Sequence, residues 1–328
     1  MNNNTRKLTM AIERWPTKQP FRISDVTFNA ANVLVVSIEQ AGCIGRGEAS
    51  GVYYLNETAE TIEAQVKEVR DAIETGLSRA ALQTLLPSGG ARNAIDCALW
   101  DLEAKHSGQS IFDLVGITPQ TVITVNTIGI DTPEAMAAMA SQLDTPKIKV
   151  KLDGKQPLAC MQAIRKARPD AELVVDVNQG WSFEQLVALA PEFKALGVTM
   201  IEQPLPRGND QELEHYQSPL PLCADESCLD TSELEQAASR YQMINIKLDK
   251  TGGLTEALTL AKKAKEKGLG LMVGNMLGTS LAMAPGFVIA QYCQLADLDG
   301  PVLLRDDRPD SITFDEGIVS PPVKKLWG

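Results

Sequence analysis

Residues 147–153 read KIKVKLD, and four later stretches repeat the design: ELVVDVN at 172–178, TMIEQP at 199–204, LCADES at 222–227 and MINIKLD at 243–249. Each is a short apolar run ending in charge, so Lys149 and Lys151, then Asp176, Glu202, Asp225 and Lys247, fall at or near the ends of strand-like segments. From Lys151 to Lys247 the charges recur at intervals of 25, 26, 23 and 22 residues. Such an interval holds one strand, one helix and two short loops, the unit of a (β/α)8 barrel of about 250 residues. Functional residues of that barrel come from the C-terminal ends of its strands, so these six charges would meet at one mouth.

Working outward, VITVNTI at 122–128, LGLMVGNM at 269–276 and LADLDG at 295–300 bring the candidate strands to eight. Helical patterns lie between them at 156–167, 182–197 and 254–268, and this alternation predicts parallel βαβ units. Residues before about 118 differ in style. LTMAIERW (8–15) and NVLVVSIEQ (32–40) alternate with period two, as half-buried antiparallel strands do. The stretches at 19–31 and 47–60 read as turn-rich loops, and 58–74 and 91–105 as helices. The chain therefore divides into an α+β domain (1–117), a barrel (118–300) and a final segment (301–328) predicted to return across the first domain. The glycine clusters at 42–48, 251–253 and 268–274 lack the G-x-G-x-x-G spacing between a strand and a helix, and no phosphate-loop motif is present.

The composition narrows the function. The 328 residues carry a net charge of −11, which argues against a nucleic-acid partner and an anionic membrane surface. No apolar run reaches the roughly 18 residues of a membrane span, and residues 1–16 lack the apolar centre of a signal peptide, so the expectation is a cytoplasmic protein. Six scattered cysteines without a C-x-x-C pair read as reduced thiols. His106 and His215 are the two histidines, too few for a histidine-rich zinc site, and neither suggests a nucleophile's partner.

Three carboxylates in phase with the barrel period, Asp176, Glu202 and Asp225, are hard oxygen donors suited to Mg²⁺ or Mn²⁺. Lys151 and Lys247 bracket them. An ordinary lysine, with a pKa of about 10.4, is a poor base at neutral pH. A neighbouring cation lowers that value, so one lysine of the pair could take a proton from one face of a carbon while the other returns one to the opposite face.

K-V-K, D-V-N, I-E-Q-P, A-D-E-S and N-I-K-L-D, in this order and spacing, resemble the enolase superfamily and its muconate lactonizing subgroup, over nearly the whole chain. The resemblance implies an α+β capping domain over a (β/α)7β variant of the barrel. It implies Asp176, Glu202 and Asp225 as Mg²⁺ ligands, Lys151 and Lys247 as the acid/base pair, and Lys149 beside the substrate carboxylate. Asn178, Glu226 and Asp249 would support these groups, and Thr127 would touch substrate. D-L-D-G, with Asp297 and Asp299, resembles the D-x-D with which dipeptide epimerases hold a substrate ammonium. NIKLDKTGGLTEAL and GTS at 278–280 resemble the L-Ala-D/L-Glu epimerases of murein peptide metabolism. The expected activity is 1,1-proton transfer at the α-carbon of the C-terminal residue of a dipeptide, through a metal-stabilised enediolate. Cycloisomerisation or an o-succinylbenzoate synthase-like syn-dehydration is the alternative. The expected partner is a small dipeptide, with a homo-oligomer left open.

The capping loops depart from this pattern. Residues 24–28 read SDVTF where relatives carry an R-G-S-R-like run, and 51–57 read GVYYLNE where they often have Y-x-R-Y-G-E. Arg22, the nearest cation to the first loop, and Tyr54 of the second are the candidate substrate contacts there. Tyr53 and Tyr54 suit a neutral or aromatic substrate side chain, and fit equally well as loop tyrosines without a ligand role.

Overall fold

The computed structural model describes residues 5–23 and 26–328. Strands β1 (Lys7–Ile23), β2 (Val26–Gln40) and β3 (Cys43–Ser50) form an antiparallel sheet in the order β1-β2-β3. The sheet is larger than the sequence pattern indicates. Most of 19–31, expected as a loop, continues the β1–β2 hairpin past an irregularity between Pro16 and Phe21, and the first part of 47–60 is the end of β3. Hairpin pairing extended these strands through segments with little hydrophobic alternation, because backbone hydrogen bonds do not need it. The helix expected at 58–74 is broken at Val69 into Ala59–Glu68 and Arg70–Glu74.

The helix Gly90–Ser107 lies across this sheet and contacts β3 most closely. A Cβ on Gly47 would overlap the Ala94 carbonyl, and one on Gly45 the Ala98 carbonyl. Bare backbone there lets the alanine-rich helix approach, so we expect Gly47→Ala to destabilise the protein by about 1–3 kcal/mol or more, read as a lower urea unfolding midpoint.

Eight parallel strands follow: β5 (Asn126–Ile128), β6 (Lys147–Lys151), β7 (Glu172–Asp176), β8 (Val198–Glu202), β9 (Leu222–Ala224), β10 (Met243–Ile246), β11 (Gly270–Val273) and β12 (Leu295–Ala296), paired in that order. A parallel bridge between Thr124 and Ala296 joins the last to the residues entering the first. VITVNTI, expected as one strand, is split. Its first two residues form β4 (Val122–Ile123), which pairs with the hairpin β13 (Phe314–Asp315) and β14 (Ile318–Val319) from the final segment. Helices separate the barrel strands except between β8 and β9, where a 3-10 turn, Gln211–His215, stands in a stretch flanked by Pro204, Pro206, Pro219 and Pro221. Only the four-residue helix Gly300–Leu303 follows β12, which gives the (β/α)7β form.

The final segment reaches both domains. Trp327 Nε1 donates to the Cys97 carbonyl at 3.0 Å and the Gly328 amide to Asp101 Oδ1 at 2.7 Å. Arg308 lies 2.7 Å from both Glu13 and Glu48 of the capping sheet. Among the described residues, no helix is long and apolar enough to cross a membrane.

Strand alternation explains how charge collects in the barrel. Val125, Val174, Met200, Cys223, Met243, Met272 and Leu295 form a buried apolar cluster of their own. Side chains two residues apart on a strand share a face. The next positions on that face are Thr127, Asp176, Glu202, Asp225, Asn245, Gly274 and Asp297. The intervening residues, such as Val175, Ile201 and Ile244, belong to the larger core shared with the helices.

Candidate active site

A cavity of about 290 Å³ lies between the barrel mouth and the capping sheet. Lys149, Lys151, Asn178, Asp225, Glu226, Lys247, Asp297, Asp299, Thr127 and Tyr54 line it. In the ring of eight strands, β6 and β10 are four apart, so Lys151 and Lys247 stand on opposite sides, with β7, β8 and β9 forming an arc between them. Register keeps that arc level: Lys151 is the partner of Asp176 across β6–β7, and Asp176 of Glu202 across β7–β8.

The buried charges are closely paired. Lys151 Nζ donates to Asp176 Oδ2 at 2.6 Å and to Asn178 Oδ1 at 2.9 Å. Lys247 Nζ donates to Asp225 Oδ2 at 2.7 Å. Lys149 sits at the centre, 3.0 Å from Asp176, 2.7 Å from Glu202 Oε2 and 2.8 Å from Asp297. Its contact with Glu202 is close but poorly aligned, and Glu202 Oε2 receives no hydrogen bond. Burial pushes the Asp176 carboxyl up, but Lys149, Lys151 and Lys247 outweigh it and hold it at about 2. Glu202 ends raised, by burial and Asp176 against Lys149. Glu226 is pushed up to about 8 by burial, Asp225 and Asp176. Burial lowers Lys247, but Asp225 and Glu202 more than reverse this and leave it well above an ordinary lysine. With these partners it is an acid, so the sequence-based expectation of a lowered lysine requires another cation on the carboxylates.

Several groups that position the site carried no assigned role in the sequence reading. Lys250, fully buried, donates to Asp225 Oδ1 at 2.7 Å and to the Asp225, Cys228 and Asn245 carbonyls. Gln203 Oε1 accepts from the Asp225 and Ser227 amides, both at 3.0 Å, which fixes the turn after β9. Asn245 Nδ2 donates to Glu202 Oε1 at 2.7 Å. Gly274 leaves room for the lysine, since a Cβ there would meet Lys247 Cε at 2.9 Å. Lys250, Gln203 and Asn245 lie inside the quoted stretches, but strand period alone does not show that Lys250 and Gln203 turn back beneath the mouth.

The remaining candidates divide. Asn178 bridges Lys151 and Glu226, its Nδ2 lying 3.4 Å from Glu226 Oε1. The Thr127 amide donates to Asp299 Oδ2 at 2.7 Å. The Tyr54 hydroxyl is buried and unpartnered. One expectation needs correction. Arg22 does not line the cavity, because its strand neighbours Phe21 and Ile23 do and alternation directs it to the other face. Asp249, expected as a supporting group, lies behind the lining residues: it accepts from the Ser50 amide at 3.0 Å and Asn93 Nδ2 at 3.1 Å, tying the barrel to the capping domain. Ser24 and Asp25 of the arginine-free loop lie outside the described residues.

As placed, no three acidic, histidine or cysteine side chains among the described residues stand close enough together to hold a metal ion. The donor chemistry nevertheless fits one. Six buried carboxylates (Asp176, Glu202, Asp225, Glu226, Asp297, Asp299) face four buried lysines (149, 151, 247, 250). Glu202 Oε2, buried and without a hydrogen bond, is an oxygen left for such an ion, and all-carboxylate donors select a hard one.

A capping α+β domain over a (β/α)7β barrel, with paired lysines and an arc of carboxylates at the strand ends, defines a class of enzyme. Residues 132–325 match the enolase C-terminal domain-like family, and 5–116 the N-terminal domain of the mandelate racemase/muconate lactonizing enzyme family. The chain belongs to the enolase superfamily. It is 47% identical over 309 residues to the L-Ala-D/L-Glu epimerase of Escherichia coli (strain K12), covering 93% of this chain and 96% of that one. It is 42% identical over 299 residues to an N-acetyl-D-glutamate racemase of a Pseudoalteromonas species, covering 90% and 95%. Among solved structures, an Agrobacterium tumefaciens enolase family member with homology to dipeptide epimerases, holding sodium and L-Ala-L-Glu, superposes with a TM-score of 0.96 at 39% identity, covering 98% of this chain and 100% of that one.

Proposed function

We propose that this protein is a Mg²⁺-dependent dipeptide epimerase of the L-Ala-D/L-Glu epimerase type, inverting the α-carbon of the C-terminal residue. The observation that carries this reading is the placement of Lys151 and Lys247 on opposite sides of one cavity, with the carboxylates in an arc between them. Asp176, Glu202 and Asp225 would hold the cation, which supplies positive charge that acidifies the substrate's α-proton. A lysine in its neutral form takes that proton from one face of the α-carbon. The opposite lysine, as an ammonium, returns one to the other face, so the pair ends with its protonation exchanged. Lys149, fixed between β6 and the barrel centre, places an ammonium where a substrate carboxylate enters.

Asp297 and Asp299 explain why a dipeptide suits the site. Burial pushes Asp297 up, but Lys149 reverses this and holds it down. Asp299 accepts from the Thr127 amide rather than from an ammonium, and burial with Asp297 pushes it up to about 7. The free ammonium of a dipeptide answers that charge, whereas an N-acetylated amino acid brings none. Asp299→Asn is expected to cost about 2–5 kcal/mol in kcat/KM for dipeptides, as losing one side of a buried charge pair does. An N-acetyl amino acid, if turned over at all, would lose far less in a parallel assay.

The direct test incubates the protein with Mg²⁺ and a dipeptide library in D₂O and follows deuterium at the C-terminal α-carbon by mass spectrometry. Incorporation with epimerisation, abolished by EDTA and restored by Mg²⁺, is expected. Equal turnover in EDTA would overturn the metal assignment, and no incorporation in any dipeptide would overturn the activity.

A further inference from the structure

Part of the cavity wall is built by the capping domain. Phe21 and Ile23 of β1, Phe28 of β2 and Tyr53 line it. Phe28 and Tyr53 meet edge to face with ring centroids 5.7 Å apart, and Tyr53 and Tyr54 do so at 5.2 Å. Leu303 at the barrel end completes an apolar surface.

Charge is the decisive feature. Among the described residues, the cations lining this cavity are Lys149, Lys151 and Lys247, and each already faces a buried carboxylate. Arg22 belongs to the other face of β1, and positions 24 and 25 are serine and aspartate in the sequence, so neither adds positive charge. Glu57 and Glu60 line the rim and make it more negative. A glutamate side chain entering here would lose water without gaining a cation, and an unpaired buried carboxylate is strongly disfavoured. An aromatic side chain would instead meet ring edges and aliphatic carbon, the contacts such rings favour.

Resting on the epimerase reading above, we infer that the residue epimerised by this protein carries an apolar, preferably aromatic, side chain seated against Phe21, Ile23, Phe28 and Tyr53, rather than the glutamate side chain in the names of its relatives. The reaction is unchanged: the α-proton still passes between the two lysines, and the wall decides only which side chain accompanies it.

The test compares L-Ala-L-Phe, L-Ala-L-Glu and L-Ala-L-Lys with the wild-type protein and Mg²⁺ in D₂O. We expect kcat/KM for the phenylalanine dipeptide to exceed that for the glutamate dipeptide by about tenfold or more, or about 1.4 kcal/mol. Phe21→Arg, which supplies the missing cation, should shift that ratio toward glutamate by at least about tenfold. A wild-type preference for glutamate or lysine, or a folded Phe21→Arg protein with an unshifted ratio, would overturn the inference. Exchange of the glutamate dipeptide alone would defeat this inference and leave the epimerase reading standing. No exchange in any of the three or across the wider library would defeat both.

Discussion

Lys151→Ala and Lys247→Ala should each lower epimerisation by about 10²–10⁴-fold, the range of a general acid–base group. Each lysine serves one face of the α-carbon, so the two losses differ in kind. With Lys151 removed, Lys247 can still exchange the α-proton of the epimer that presents it to β10, but the product of opposite configuration does not form. With Lys247 removed, the other epimer alone exchanges. Proton NMR in D₂O on each pure epimer separates exchange from inversion. Dipeptide binding by calorimetry shows whether the pocket survives, since each substitution also frees a carboxylate: Asp176 from Lys151 at 2.6 Å, or Asp225 from Lys247 at 2.7 Å. If either variant inverts its substrate at the wild-type rate, the two-lysine assignment is wrong.

Lys250→Met should destabilise the fold, by about 3–5 kcal/mol, the usual result of removing one partner of a buried ion pair. The ammonium of Lys250 is sealed from solvent and answers Asp225 Oδ1 together with three backbone carbonyls beneath the mouth. Methionine matches its length but donates nothing, so the carbonyls and one carboxylate oxygen lose their partner in a place water does not reach. Urea unfolding followed by circular dichroism gives the change. Lys250→Arg is not expected to restore the wild type, because a planar guanidinium does not fit donors arranged around a point charge. Unchanged unfolding midpoints in Lys250→Met would show that Lys247 alone suffices to hold Asp225.

Much of the barrel and its chemistry was legible because periodicity and chemistry coincide there. A strand buried on both faces is nearly all apolar, so Lys149, Asp176 or Glu202 inside one stands out, and the repeat interval gives the unit. The capping sheet was less legible. Residues 21–23, 26–28 and 43–50 pair through backbone groups, and their side chains record little of it. Between β8 and β9 a 3-10 turn stands where a βαβ unit has its helix, because prolines crowd that stretch.

By itself the sequence determined the order of strands, the charges at their ends and the absence of arginine from the capping loops, all properties of identity and spacing. Only the tertiary structure decided direction. It turned Arg22 away from the cavity and Phe21 toward it, tied Asp249 to Ser50 and Asn93, and placed Lys250 beneath Asp225. The reason is physical: a residue's face depends on which partner its backbone pairs with, and a buried charge moves to whichever opposite charge the packing brings within reach.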